Sequence, residues 1–266
     1  MRAPHSDPLR FRRRHTGRWM LLASLLVGGT ALAYVLPGSS VLRRMVTARA
    51  EQQVSQLTAK GTLTLEDQVR DQLARHLGLV LEGDVARVDG VFSLQSPRRC
   101  RLDVGATDPG DPRRFTAVSA LGKPAVMGPE SLPMVVAVEH VCALAGMGGK
   151  NARGDIDGLL RRLKVDTSRT SLARFGGRVA IVLGDPAEGQ PSFWVDKDSF
   201  QPLRLRWISS DGSKWDVALS DWISAVSNGA FPRVFELSLN GKRQLRFESL
   251  DVSRTAKFPA DHFATP

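Results

Sequence analysis

The sequence has few cysteines and histidines and none of the short motifs on which most catalytic and metal sites are built. It holds two cysteines and five histidines in 266 residues, and the histidines do not cluster. It contains no G-x-S-x-G, no H-E-x-x-H and no C-x-x-C, the patterns of serine hydrolases, zinc peptidases and thiol redox sites. We therefore expect no catalytic residue, no metal and no cofactor.

Two features that could suggest chemistry have simpler explanations. The run Gly146–Lys150 resembles a phosphate-binding loop, but Leu144 stands where the loop needs glycine and Asn151 where it needs serine or threonine. His140 lies in an apolar stretch, where a histidine is more often packed in a core than used as a base.

The sequence also has no concentrated basic motif outside its N-terminus. The formal net charge is +10, but residues 1–33 hold six arginines and one acid, which leaves about +5 for the rest. The remaining basic residues are scattered, and no aromatic-and-basic motif for RNA is present. We therefore expect no nucleic-acid partner.

The N-terminal segment is typical of an export signal. A block of arginines precedes Trp19–Leu36, eighteen residues without a charge. The pattern Ala31-Leu32-Ala33 allows cleavage after Ala33, but eighteen residues also reach the lower limit for a membrane-spanning helix. Residues 1–36 are therefore predicted as a signal peptide or a membrane anchor. Either one places the rest of the chain outside the cytoplasm.

Cys100 and Cys142 are the only cysteines. In an oxidising compartment, two cysteines favour a disulfide, which here would close a loop of about 40 residues. Two separate buried thiols are the alternative.

Helical periodicity dominates two stretches of the first half. Residues 37–64 are predicted as a helical linker, and an i, i+4 stripe over 65–77 predicts a helix that ends at Gly78. The apolar stretch 131–147 favours a buried helix, with a central strand for part of it as the alternative. Short strands are predicted between these helices, among them 115–120.

From residue 175 onward, apolar and polar residues alternate in short segments. Asp211-Gly212 and Asn240-Gly241 are hairpin signals between such segments. Alternation gives each strand one apolar side, so we predict an antiparallel sheet whose apolar side is covered by the two helices. The predicted domain, residues 65–266, is α+β.

The apolar side of this sheet carries many aromatic residues. Such a face usually fills a core. A strongly curved sheet can instead leave a cavity under its helices that takes an apolar ligand. Composition does not separate the two arrangements.

The C-terminal third resembles the LolA-like outer-membrane lipoprotein carriers. The resemblance is carried by the strand GRVAIVLG at 177–184, by FWVDKDSFQPLRL at 193–205, and by FPADHF at 258–263. It implies a strongly curved antiparallel half-barrel, covered by helices, whose concave side shields acyl chains during transit across the periplasm. It implies no catalytic activity.

The resemblance makes the expected function that of a periplasmic carrier for lipid or lipoprotein acyl chains, acting as a monomer with a possible inner- or outer-membrane protein partner. A membrane-anchored envelope sensor or regulator that uses the same fold to bind a protein is the alternative. The residues expected to line the cavity are Trp194, Leu203, Leu205, Trp207, Trp215, Phe235, Leu237 and Phe247. The helix over 131–147 is expected to act as a lid, through Met134, Val138 and Val141.

Overall fold

The computed structural model describes residues 35–78, 85–105, 113–120, 123–127 and 132–264. Nearly all of the predicted export segment therefore lies outside the described residues. Within them, four helices are formed, namely α1 (Gly38–Glu51), α2 (Asp67–Leu77), α3 (Leu132–Ala145) and α4 (Ala152–Arg162).

The same residues form twelve strands of one sheet. The first five are β1 (Gln56–Leu65), β2 (Ala86–Gln95), β3 (Arg99–Gly105), β4 (Arg114–Ala120) and β5 (Lys123–Met127). The other seven follow the helices α3 and α4, and are β6 (Thr170–Phe175), β7 (Arg178–Gly184), β8 (Ser192–Asp196), β9 (Pro202–Ile208), β10 (Lys214–Ser220), β11 (Val234–Leu239) and β12 (Lys242–Ser253).

The sheet is an antiparallel meander in two halves. Its order is β5-β4-β3-β2-β1-β12-β11-β10-β9-β8-β7-β6, so the chain runs outward from β1 to β5 and returns from β6 to β12. The two halves meet at one pairing, β1 with β12. Because β5 and β6 are not paired with each other, the sheet is open.

Contacts of α3 show that the sheet is strongly curved. Cys142 of α3 is bonded to Cys100 in β3, and two residues earlier His140 stacks on Trp207 in β9 at 4.3 Å between ring centroids. β3 and β9 are six strand positions apart in the sheet, about 29 Å in a flat one. Both strands can touch one helix only if the sheet bends around it. The curved α+β half-barrel predicted from the sequence is therefore confirmed.

The side of the sheet that faces α3 is the concave face, and it carries the core. Leu205, Val217, Leu237 and Leu245 are directly paired across four neighbouring strands, and all four are fully buried. The opposite, convex face carries side chains of opposite charge on neighbouring strands, such as Glu236 of β11 beside Arg246 of β12. This is the one-sided burial that the alternating pattern predicts.

The helix predicted over the second part of residues 37–64 is wrong. α1 ends at Glu51, and β1 follows and lies in the middle of the sheet, so these residues are part of the domain rather than a linker. In β1, buried residues alternate with less buried ones, and Leu57, Ala59, Leu63 and Leu65 are fully buried. The helix was predicted because Val54 and Leu57 also fit the helical spacing of the residues before them.

Other predicted elements are confirmed. α3 falls within 131–147, and β4 covers 115–120. α2 ends at Gly78, which has a φ of 67° and closes the helix in the left-handed conformation. The turns at Asp211-Gly212 and Asn240-Gly241 join β9 to β10 and β11 to β12.

Candidate functional site

The concave face brings together seven of the eight residues predicted to line a cavity. They are Leu203, Leu205, Trp207, Trp215, Phe235, Leu237 and Phe247, and their exposed fractions lie between 0 and 6%. Phe235 stacks on Phe247 at 5.1 Å, and Trp207 on Trp215 at 6.0 Å. In this structure the face is therefore covered, and its aromatic side chains pack on each other.

Trp194 is on the other side of the sheet, so its predicted inward orientation is wrong. It is paired with Arg204, while its neighbour Phe193 is paired with Leu205 of the concave face. The Trp194 ring lies under the guanidinium groups of Arg204 and Arg206, at 5.7 and 5.3 Å. Ser192 and Asp196 lie on the same face of β8 as Trp194, and both faces of this strand are buried. A large apolar residue alone therefore did not identify the concave side, and a shift of one residue reverses the assignment.

The predicted lid helix, α3, covers the concave face with apolar side chains. Met134, Val138 and Val141 are at most 2% exposed. Residues 133–138 are apolar without exception, with the sequence PMVVAV. α3 packs against β3, β4 and β5 on one side and against β10, β11 and β12 on the other. The first half of the helix is thus held by apolar packing.

The second half of α3 is covalently tied to the sheet. Cys142 forms a disulfide with Cys100 of β3, with 5.7 Å between the Cα atoms. Of the two arrangements that the sequence leaves open, the structure has the bonded one. Both cysteines are buried.

Arg49 of α1 is a second tie at the same end of α3, and sequence analysis missed it. Its guanidinium donates to the carbonyl oxygen of Ala145 at 2.6 Å, and to those of Gly229 and Ala230 at 2.7 and 2.8 Å. It also donates to Oε1 of Gln201 at 3.2 Å. One buried side chain therefore joins α1, the end of α3, and two loops of the second half of the sheet.

The electrostatics of Arg49 are unusual because its acceptors are all neutral. The side chain is 2% exposed and its guanidinium lies 4.6 Å from the Trp222 ring centroid. Burial, and then the charge of Arg254, lower the pKa of Arg49 to about 9. The group stays charged at neutral pH and is held by carbonyl dipoles and a ring face.

His140 is packed between α3 and the aromatic face. Nδ1 lies 2.9 Å from the carbonyl oxygen of Val136, so the proton of the neutral ring belongs on Nδ1. Burial is the main cause that lowers the pKa of His140 to about 4; the hydrogen bond to the Val136 carbonyl opposes it, and the charge of Arg162 adds to it. The ring is therefore neutral at pH 7, which fits the core role expected from the sequence.

Among the described residues, no helix combines the length and the apolar character that crossing a bilayer requires.

Comparisons with known proteins return only solved structures. No protein-family model matches the chain, and no curated protein matches it in sequence. A LolA superfamily protein from Nitrosomonas europaea is 11% identical, with a TM-score of 0.44 over 86% of this chain and 98% of that one. A putative outer-membrane lipoprotein-sorting protein domain from Vibrio parahaemolyticus is 10% identical, with a TM-score of 0.40 over 84% and 94%.

The Pseudomonas aeruginosa MucA/MucB complex also matches, at 14% identity and a TM-score of 0.29. The match covers 87% of this chain but 62% of that one. Identities and TM-scores this low carry no inference about function, which has to come from the geometry of the site.

Proposed function

We propose that the protein is an exported, non-catalytic carrier that holds an apolar chain, such as an acyl chain of a lipid or lipoprotein in the periplasm, against the concave face of its sheet. The observation that supports this is the construction of α3. The helix is apolar along its first half, lies in the hollow of a curved aromatic sheet, and is tied down by polar or covalent bonds at its second half.

The energetics favour an exchange of α3 for a ligand. Lifting residues 133–138 off the sheet would expose apolar surface, at about 0.8 kcal/mol per methylene-sized group. An acyl chain that takes the place of these side chains buries the same face again, so that most of this cost is offset. A polar ligand would not bury the apolar face again, so the cost of displacing the helix would not be offset.

The two ties decide which part of α3 moves. Cys142 and Ala145 are held by Cys100 and Arg49, whereas Met134 and Val138 are held by packing. Displacement is therefore expected to begin at the Leu132 end, with the Cys142 end as the hinge.

The test combines an extraction with a contact measurement. Full-length protein purified from its native envelope is extracted with organic solvent, and the extract is analysed by mass spectrometry for lipid. The purified protein is then titrated with a brominated fatty acid, whose bromines quench the fluorescence of tryptophans that they contact. We expect recovered lipid, and quenching that comes from Trp207 and Trp215 on the concave face.

Trp194 provides the matched control because it lies on the convex face. The variant Trp194→Phe should keep the quenching, and the double variant Trp207→Phe, Trp215→Phe should lose most of it. Quenching that is the same in both variants, or no lipid and no quenching at all, would refute the carrier. The sensor alternative gains if the extract is empty and the purified chain retains residues 19–36 at its N-terminus.

A further inference from the structure

The two edges of the open sheet are protected to different degrees. β5, at one edge, is five residues long, contains Pro124, and has α3 packed against it. A proline has no N–H to donate, and a helix packed on the strand blocks access to it, so the β5 edge is protected against the addition of another strand. β6, at the other edge, contains no proline, and in the described part of the chain its one neighbour in the sheet is β7.

The hydrogen-bonding pattern shows which backbone groups of β6 face outward. The Gly184 amide donates to the Arg169 carbonyl, and the Lys197 amide donates to the Val179 carbonyl. Alternate residues of β7 therefore bond to β6 and to β8, and Ile181 belongs to the set that faces β8. Leu172 is paired with Ile181, so the N–H and C=O of Leu172 point away from the sheet.

The same alternation directs the backbone groups of Thr170 and Arg174 outward. The edge thus presents three donors and three acceptors in a row. Leu172 adds an apolar side chain that is 41% exposed. Outward backbone groups together with an exposed apolar side chain are what an added strand uses.

The charge around this edge indicates the kind of strand. Three arginines lie in or beside β6, namely Arg169, Arg174 and Arg178, and the acids Asp166 and Asp185 flank this stretch of sequence. Arg178 is paired with Asp196 at 2.6 Å, and Arg169 lies 3.8 Å from Asp185. Arg174, on β6 itself, is exposed.

We propose that β6 is a docking site for an extended, acidic segment of a partner protein, which adds to the sheet as a further strand. A second copy of this chain fits less well, because β6 contains no acidic residue that could lie opposite Arg174. Leu172 lies at the edge of the concave side, because it is paired with Ile181 and through it with Val195. The interaction itself uses neither α3 nor the seven residues of the candidate ligand face, so it does not depend on the proposed carrier function.

The test uses a defined peptide and the full-length protein. The probe is a fluorescein-labelled, end-capped peptide of nine residues that alternates glutamate with valine or threonine. Two N-methylated versions carry the methyl groups on the odd or on the even backbone nitrogens. Since only alternate amides of an added strand face its neighbour, fluorescence anisotropy should show one methylated peptide binding like the parent. The other should bind at least about tenfold more weakly.

Two substitutions in β6 give the matching result on the protein side. Leu172→Pro removes an outward N–H that β7 does not use, and should weaken binding at least about tenfold, while Leu172→Ala keeps the N–H and should weaken it about threefold or less. The proposal is overturned if the parent peptide does not bind, if both methylated peptides bind equally, or if Leu172→Pro has no effect. It is also overturned if analytical ultracentrifugation shows a dimer that Leu172→Pro dissociates, because the occupant would then be a second copy.

Discussion

At the scale of single residues, His140 makes the stability of the protein dependent on pH. Its pKa is about 4 in the folded protein against an ordinary value of 6.5, so the unfolded chain binds the proton more readily. The stabilisation is complete above pH 6.5 and is lost as the pH falls from there toward 4. The difference in pKa corresponds to about 3 kcal/mol. Denaturant unfolding measured between pH 7 and pH 4 should show a loss of this order.

Other groups also titrate in this range, so the measurement needs a variant that removes only the imidazole. His140→Phe keeps an aromatic ring on Trp207, which His140 contacts at 4.3 Å. The free energy of unfolding of this variant should fall less than that of the wild type between pH 7 and pH 4, by about 3 kcal/mol. Equal pH profiles for the two proteins would show that His140 does not titrate on unfolding.

Arg49 and Trp194 show how far residues can be predicted from this sequence. Val41, Met45 and Arg49 are spaced by four and are all buried, so an arginine at the end of the apolar stripe of α1 could have been recognised as a buried cation. Trp194 was placed wrongly because its size suggested the concave side, although Ser192 and Asp196 share its face of β8 and make that face the more polar one. The other seven concave residues followed from alternation, which holds where one face of a strand is polar.

At the scale of elements, the disulfide fixes α3 to the sheet. Its cysteines are 42 residues apart, and the chain-entropy estimate for a loop of this length is about 4 kcal/mol. Replacing both with serine, Cys100→Ser with Cys142→Ser, should lower the free energy of unfolding by about this amount, as measured in urea. Hydrogen exchange should rise in α3 more than in β1.

The two measurements separate the roles of the bond. A loss of stability without faster exchange in α3 would show that the disulfide acts on the unfolded chain alone, and no loss of stability would contradict the chain-entropy estimate.

The helices and strands themselves were largely predictable, since α2, α3 and the late hairpins have clear periods and turn residues. β1 was not, because Val54 and Leu57 continue the spacing of α1 and the threonine-rich alternation begins only after them.

At the scale of the whole molecule, the curvature of the sheet is a property of long-range contacts that the sequence contains only indirectly. Alternation predicts which side of each strand is buried, but the bend follows from α3 touching β3 and β9 at once. The meander also makes the β1–β12 pairing the single seam between two halves that are each built from local hairpins.

Gly61 is the residue on which this seam depends. The pairing of β1 with β12 shifts register between Lys60 and Gly61. There a Cβ on Gly61 would lie 2.1 Å from the carbonyl oxygen of Glu248, a backbone atom that has no freedom to move aside. Gly61→Ala should therefore lower the free energy of unfolding by about 3 kcal/mol. Gly154→Ala in α4, where a Cβ meets nothing within 4 Å, should instead raise the free energy of unfolding by about 0.5–1 kcal/mol.

The same variant tests whether the two halves of the sheet fold as one unit. If the β1–β12 pairing joins them, Gly61→Ala unfolds in a single transition, and tryptophan fluorescence and far-UV circular dichroism give the same unfolding curve. Two separated transitions would show that each half of the meander is stable without the other.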